Sequence, residues 1–223
     1  MITKESGSKT ARVIGIERLR IGTDGKGINT LIGFSSCPLE CKYCLNPQCK
    51  DQKCGAAFDA GSLYNVVCKD DLYYRASGGG ITFGGGEPLL HIDFIRDFCR
   101  LAPKEWHMTA ETSLYVSKEN VIKAASCIDT FLVDVKDTNG YIYRSYTTKD
   151  NGIVLENLRL LLSLVSKERI VARIPLIDGY NTDFDRKKSV ALLKEMGIVH
   201  FDLFEYDTKL AADKAKQVAR NRI

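Results

Sequence analysis

The chain has 223 residues, 44% of them hydrophobic and 27% charged, with a formal net charge of +4. That length suits one full-sized domain with a substantial core, and so mild a charge demands neither nucleic acid nor a membrane as partner. The longest apolar runs, such as Leu160-Leu-Leu162, fall far short of the ~18 residues that cross a bilayer, and residues 1–10 are polar with no apolar signal region, so a cytoplasmic location is expected.

Residues 1–11 are expected to be a flexible lead into a single domain over 12–223. Residues 13–21 alternate apolar and polar and predict a strand or hairpin arm; Asp24-Gly25 and Lys26-Gly27 predict a turn. Residues 28–34 predict the first core strand. Residues 48–57 are polar, hold Cys49 and Cys54, and predict a surface loop. A helix is expected over 60–75, burying Leu63, Val66, Val67 and Leu72, then a short strand over 81–83. A helix over 91–102 puts Ile92, Ile95, Phe98 and Cys99 on one face. A strand over 106–109 leads to Glu111-Thr112, and a helix over 118–126 has Ser117 as its cap. A strand over 130–133 ends at Asp134. A helix over 155–166, a strand over 169–175, a helix over 183–195 closed by Gly197, a strand over 199–204 and a helix over 209–220 complete the chain.

Strand and helix alternate over six repeats, which means parallel strands with right-handed crossovers. The expected fold is α/β, an open (β/α)6 partial barrel. Cys37, Glu87, Glu111, Asp134 and Pro175 all fall just after strands, where such folds place their chemistry.

Three features carry that chemistry. Cys37-Pro-Leu-Glu-Cys41-Lys-Tyr-Cys44 sets three cysteines at x3 and x2 spacing. A [4Fe–4S] cluster usually takes four thiolates, so three in one tight loop would leave one iron open to a small molecule. Zinc is the competing reading, with Cys49 or Cys54 as the spare ligand, although no paired Cys-x2-Cys or His-x3-His follows. Gly78 to Gly86 holds six glycines in nine residues, either to let a ligand approach the backbone or to make a tight turn; no Gly-Lys-Ser/Thr follows, so it is not a phosphate loop. Asp134-Val135-Lys136 puts two charges on one side of a strand end, as a surface ion pair or, if buried, as a liganded pair. Eight cysteines without an export signal read as free thiols or metal ligands.

The cysteine loop, with Tyr43 before its last cysteine, resembles that of the radical S-adenosylmethionine (SAM) superfamily. Together with Gly22–Asn29, Ser77–Leu90, Asp134–Lys136 and Arg173–Asn181, the chain resembles the activating enzymes of glycyl radical enzymes from about Gly15 to about Tyr206. The resemblance implies a cluster held by Cys37, Cys41 and Cys44, which are also the catalytic residues. It implies SAM bound by Tyr43, Leu45, Gly85, Gly86, Glu87, Glu111, Asp134, Val135, Lys136 and Arg173, and a monovalent cation near Glu111 and Asp134. It further implies a glycyl radical enzyme as protein substrate, a flavodoxin- or ferredoxin-like electron donor, a monomer, and an anaerobic setting. Cys49, Cys54 and Cys68 are too few, and too badly spaced, for the second-cluster insert of some members, and His91, His107 and His200 are isolated enough to be structural. The chain departs from the family at Lys26 and Asn29, usually Pro and Arg, at Glu111, usually Asp, and at Tyr143 and Asp207, usually His.

Overall fold

The computed structural model describes residues 10–22 and 24–220. The expected flexible lead lies, over residues 1–9, outside the described residues; Ala11 already opens the first strand. The strands are β1 (Ala11–Ile21), β2 (Ile28–Phe34), β3 (Ala56–Phe58), β4 (Gly80–Gly85), β5 (His107–Thr112), β6 (Thr130–Asp134), β7 (Ile170–Leu176) and β8 (His200–Glu205). They form one sheet in the order β3-β1-β2-β4-β5-β6-β7-β8. From β2 to β8 every neighbouring pair is parallel, which gives the six expected strands. β1 and β3 add an antiparallel edge.

The crossovers are helical: α1 (Ala60–Val67) and α2 (Asp71–Ser77), α3 (Ile92–Leu101), α4 (Lys118–Ala125), α5 (Gly140–Thr147) with α6 (Gly152–Leu164), and α7 (Asp183–Glu195); α8 (Thr208–Arg220) closes the chain. No helix among the described residues is long and apolar enough to cross a membrane. The central strands are apolar because helices or the barrel interior cover them. Phe34, Phe83, Phe131, Ile32 and Ile81 on these strands are fully buried. β8 is an edge strand and carries exposed His200, Asp202 and Glu205, charges and polar groups that discourage further pairing.

Several expectations need correction. The helix over 60–75 is two helices joined by a 3₁₀ turn, Cys68–Asp70. That turn tightens the winding, so Leu72 emerges 74% exposed while Tyr74 takes the core position and bonds Thr30. Asp70 is thereby turned inward to receive a two-pronged ion pair from Arg18. The loop over 48–57 holds the short strand β3 and a 3₁₀ turn, Pro47–Lys50, in which Cys49 is buried. α5 was not expected at all. The Asn29 departure has a local reason: its side-chain oxygen accepts from Gly80 N at 3.1 Å and its amide donates to Lys26 O at 3.0 Å, tying β2 to the start of β4.

Candidate active site

The cysteine loop leaves the C-terminal end of β2 and is stitched down by its backbone. Ser36 N donates to Cys49 O at 2.6 Å. Glu40 N and Lys42 N donate to Thr147 O and Tyr146 O, both at 3.1 Å. These are last-turn carbonyls of α5, which have no partner within their own helix. The loop therefore caps α5 and is held by it.

The glycine run sits against the other side of the loop. Gly86 N donates to Phe34 O at 2.9 Å and Glu87 N to Ser36 O at 2.8 Å. A Cβ on Gly86 would lie 2.2 Å from Ser36 O, and one on Gly85, whose φ is +89°, would lie 2.6 Å from Gly33 Cα. These glycines are needed because two backbones meet there. Glu87 ties the next loop in. Its carboxylate, 1% exposed, accepts from Leu89 N (3.2 Å), Thr112 Oγ1 (2.6 Å), Ser113 N (2.9 Å) and Ser113 Oγ (2.6 Å). Burial pushes its pKa up, and these donors pull against that rise.

Charges form a row across four strands, β5 to β8. Parallel register sets Arg173 of β7 beside Asp134 of β6 and Asp202 of β8. Arg173 Nη1 donates to Glu111 Oε1 at 2.8 Å, while its Nε stands 3.5 Å from both Asp134 Oδ1 and Asp202 Oδ2. The guanidinium lies over the Phe204 ring, 5.4 Å from its centre. Lys136 Nζ donates to Asp134 Oδ2 at 2.8 Å and is buried, so this is no surface ion pair. Burial alone would raise the pKa of Asp134, but Lys136 and Arg173 bring it below the usual carboxylate range. Burial raises Glu111, and Arg173 only partly offsets it. Asp134 Oδ1 and Arg173 Nε are buried and make no hydrogen bond to the protein. They face each other across 3.5 Å, an ion pair without a hydrogen bond.

That cleft, about 810 Å³ with its open mouth included, is lined by Cys37, Cys41, Cys44, Leu45, Gly85, Gly86, Glu87, Glu111, Asp134, Lys136 and Arg173. The structure thus brings together all but two of the expected site residues. Tyr43 turns its ring toward Tyr180 and Tyr146, with centres 5.9 Å and 6.4 Å away, and its carbonyl accepts from the Tyr206 hydroxyl. Val135 is buried, and only its backbone, which donates to Arg173 O at 3.0 Å, is near the charged row. Sequence reasoning missed Leu39, Asn46, Thr112, Ser113, Phe204 and Tyr206 as lining residues. Asn46 was visible beside the last cysteine; it donates to Gly85 O at 3.2 Å.

The thiols differ. Burial pushes Cys41 up to about 12, against the pull of Lys136. Cys44 is held down to about 6, first by its hydrogen bond with Cys49. Metal binding requires thiolates and itself drives their deprotonation. Among the described residues no three His, Cys, Asp or Glu side chains are grouped around a single-ion site, and Cys49, Cys54 and Cys68 do not converge. The three loop cysteines line one cleft.

His91 and His107 are structural. His91 Nε2 meets Ser35 O at 3.0 Å and its ring stacks on Phe34; His107 Nε2 meets Thr130 Oγ1 at 2.8 Å. Asp207 accepts from Leu210 N at 2.8 Å, so it serves the start of α8. Tyr143 is wholly buried.

A family described as a 4Fe-4S single cluster domain matches residues 23–149, more than half of the chain. The trans-4-hydroxy-L-proline dehydratase activating enzyme of Clostridioides difficile is 29% identical over 255 residues, covering 87% of this chain and 83% of that protein. The pyruvate formate-lyase 2-activating enzyme of Escherichia coli (strain K12) is 29% identical over 202 residues, covering 76% and 68%. The choline trimethylamine-lyase activating enzyme of Oleidesulfovibrio alaskensis is 28% identical over 222 residues, covering 73% and 71%. Among solved structures, Streptococcus suis SuiB bound to precursor peptide SuiA shares the fold with a TM-score of 0.63 at 12% identity, over 86% of this chain and 46% of that one. Native anSMEcpe with bound AdoMet does so with a TM-score of 0.54 at 17% identity, over 77% and 49%.

Proposed function

The chain belongs to the 4Fe–4S single-cluster-domain family, and from that premise we propose that it is a radical SAM activating enzyme whose substrate is a glycyl radical enzyme. One observation carries the reading. Three cysteines at x3 and x2 spacing share a cleft with a fixed ammonium and a fixed guanidinium. The activating-enzyme relatives align along most of the chain and support it.

The residues present fit the cofactors. Three thiols on the cleft wall suit a cluster with one open iron. The Lys136 ammonium and the Arg173 guanidinium on the cleft wall suit an amino acid's carboxylate. When bound, the cluster supplies the electron that splits SAM into methionine and a 5′-deoxyadenosyl radical, which takes a hydrogen atom from a glycine of the partner.

The chain's own residues hold and shield. Cys37, Cys41 and Cys44 would ligate three irons. Lys136 would meet the methionyl carboxylate with a point charge kept in place by Asp134. Arg173, steadied by Glu111 and Phe204, would orient the same end of the ligand. The Gly85 and Gly86 backbone and Leu45 would border it, and Leu39 and Phe204 would keep water out. Glu87 would act by holding the loops around it, because its oxygens are engaged. Tyr43 and Val135 would contribute through backbone and packing. A monovalent cation beside Glu111 and Asp134 would have to share them with Arg173, whose guanidinium already bridges the two. The reading takes the chain to be a cytoplasmic monomer served by a flavodoxin- or ferredoxin-like donor. All eight cysteines are free, as a reducing compartment requires.

Anaerobic reconstitution with iron and sulfide, then dithionite and SAM, should yield 5′-deoxyadenosine, and Cys41→Ala should not. A co-expressed partner should then show a glycyl-radical EPR signal. A cluster-loaded chain that makes no deoxyadenosine would be a binding module. Turnover with no glycyl radical on any candidate partner would point to a small-molecule or peptide substrate.

A further inference from the structure

Glu111 stands where the resembled family usually has aspartate, and the sheet register shows what the extra methylene reaches. Glu111 of β5 pairs with Leu132 of β6, while Asp134, two residues further along β6, pairs with Arg173 of β7. Residues two apart on a strand share a face, so Glu111, Asp134 and Arg173 project from the same side of the sheet. Glu111 and Arg173 are then two strand spacings apart, roughly 10 Å, and offset by about 7 Å along the strands. Two long side chains span that distance: Arg173 Nη1 donates to Glu111 Oε1 at 2.8 Å. A carboxylate one methylene shorter would open that contact to about 4 Å, past any hydrogen bond. The other Glu111 oxygen rests on the glycine run, where a Cβ on Gly84 would lie 3.0 Å from Oε2.

The residues around this pair do not fit a further cation. The guanidinium already stands between Glu111 and Asp134, with Nε 3.5 Å from Asp134 Oδ1 and the Phe204 ring over it at 5.4 Å. Lys136 Nζ holds the other Asp134 oxygen at 2.8 Å. Two carboxylates thus face two fixed cations, and their charges cancel. Asp202 Oδ2 also lies 3.5 Å from Arg173 Nε, but that carboxylate is half-exposed and water screens it. Hard cations bind through several oxygens at once. Here Glu111 Oε2 is the one oxygen of the two buried carboxylates without a cationic partner within 4 Å.

We propose that Arg173 takes the place of the monovalent cation that the family resemblance implies: bridging Glu111 and Asp134, its guanidinium supplies the positive charge beside the methionyl carboxylate, and the length of Glu111 is what holds it there. SAM binding by this chain then needs neither potassium nor sodium. The proposal rests on the radical SAM reading above. It makes Glu111 a positioning residue that acts through Arg173.

The test is SAM binding to the full-length, cluster-loaded chain in potassium, sodium or tetramethylammonium chloride at one ionic strength. Binding is read by equilibrium dialysis and by the SAM-induced change in the reduced cluster's EPR signal. Tetramethylammonium is too bulky for a site between two carboxylates. The wild-type Kd should agree within about twofold across the three salts, below the ~5-fold at which coupling between two sites usually begins. Glu111→Asp loses the reach to Arg173 and frees its carboxylate, so its Kd should be at least about fivefold tighter in potassium than in tetramethylammonium. Glu111→Gln keeps the reach and an accepting oxygen, so its Kd, whatever its value, should not respond to potassium. Potassium or sodium tightening wild-type binding about fivefold or more overturns the proposal. So does a Glu111→Asp chain as indifferent to salt as the wild type, because the length of Glu111 would then exclude nothing. A potassium response in Glu111→Gln overturns it too, and that variant serves if Glu111→Asp does not fold. A wild type that assembles its cluster and binds SAM in none of the salts sinks the radical SAM reading, whereas binding that needs potassium leaves that reading standing.

Discussion

Glu87→Gln separates a residue that builds the cleft from one that only touches a ligand. The carboxylate receives four donors, two on each oxygen. An amide keeps one accepting oxygen and presents an NH₂ to the other two donors. In either orientation a backbone N–H, of Leu89 or of Ser113, loses its acceptor. A buried donor left unpaired costs about 1–3 kcal/mol. The facing hydroxyl can accept from the NH₂ with its second lone pair, since Leu114 N (2.9 Å, to Thr112 Oγ1) or Tyr115 N (3.3 Å, to Ser113 Oγ) takes only one, but its own proton then loses the carboxylate. The two surviving bonds fall from charged to neutral strength, and the relief from no longer burying a charge offsets part of the sum. The net loss should be about 2–4 kcal/mol, or roughly 5–15 °C in melting temperature for a chain of this size. Urea unfolding of the metal-free protein, followed by the fluorescence of buried Trp106, reads it directly. A loss below ~0.5 kcal/mol would refute the network argument and return Glu87 to a purely ligand-facing role.

Gly86→Ala should destroy iron loading, because its Cβ would strike Ser36 O, whereas Gly61→Ala meets only an Asp59 oxygen at 3.4 Å and should load iron normally. Asn157→Leu should cost about 1–3 kcal/mol in urea: Asn157 donates to Leu114 O at 2.9 Å and Val116 O at 2.8 Å, and although Leu114 O keeps its bond from Val116 N, Val116 O loses its donor. Burial holds His91 and His107 below their ordinary pKa near 6.5. Below that pH the unfolded chain binds protons that the folded chain refuses, so this share of the stability is lost as pH falls. The double variant His91→Gln/His107→Gln should therefore lose less stability than wild type between about pH 7.5 and 5.5, measured by urea midpoints on metal-free protein; parallel slopes would show that the two rings do not titrate on unfolding.

The strands and the cysteine loop were legible because their signals are local. Buried parallel strands are short apolar runs, and a metal loop needs its spacing. Helix phase was legible only where one winding holds throughout. The 3₁₀ turn at Cys68–Asp70, whose Asp70 pairs with Arg18 of β1, broke the period and put Leu72 outside. α5 was illegible because Tyr141, Tyr143, Tyr146 and Thr147 are indifferent helix formers, so tertiary contacts decide. Cys49 was illegible for a similar reason: Gln48, Lys50 and Asp51 surround it in sequence, while the cysteine loop surrounds it in space. Asn157 gave a signal that could have been used, as a lone amide on the apolar stripe of Val154, Leu158 and Leu161.

The contact between the cysteine loop and the end of α5 bears on how portable the site is. Two of the loop's amides complete the hydrogen bonding of a helix that lies about a hundred residues further on. A graft of the eight-residue cysteine motif onto another scaffold would carry the sulfurs and leave behind the surface that sets their spacing. The smallest transferable unit of this chemistry is the loop together with the α5 turn that receives it.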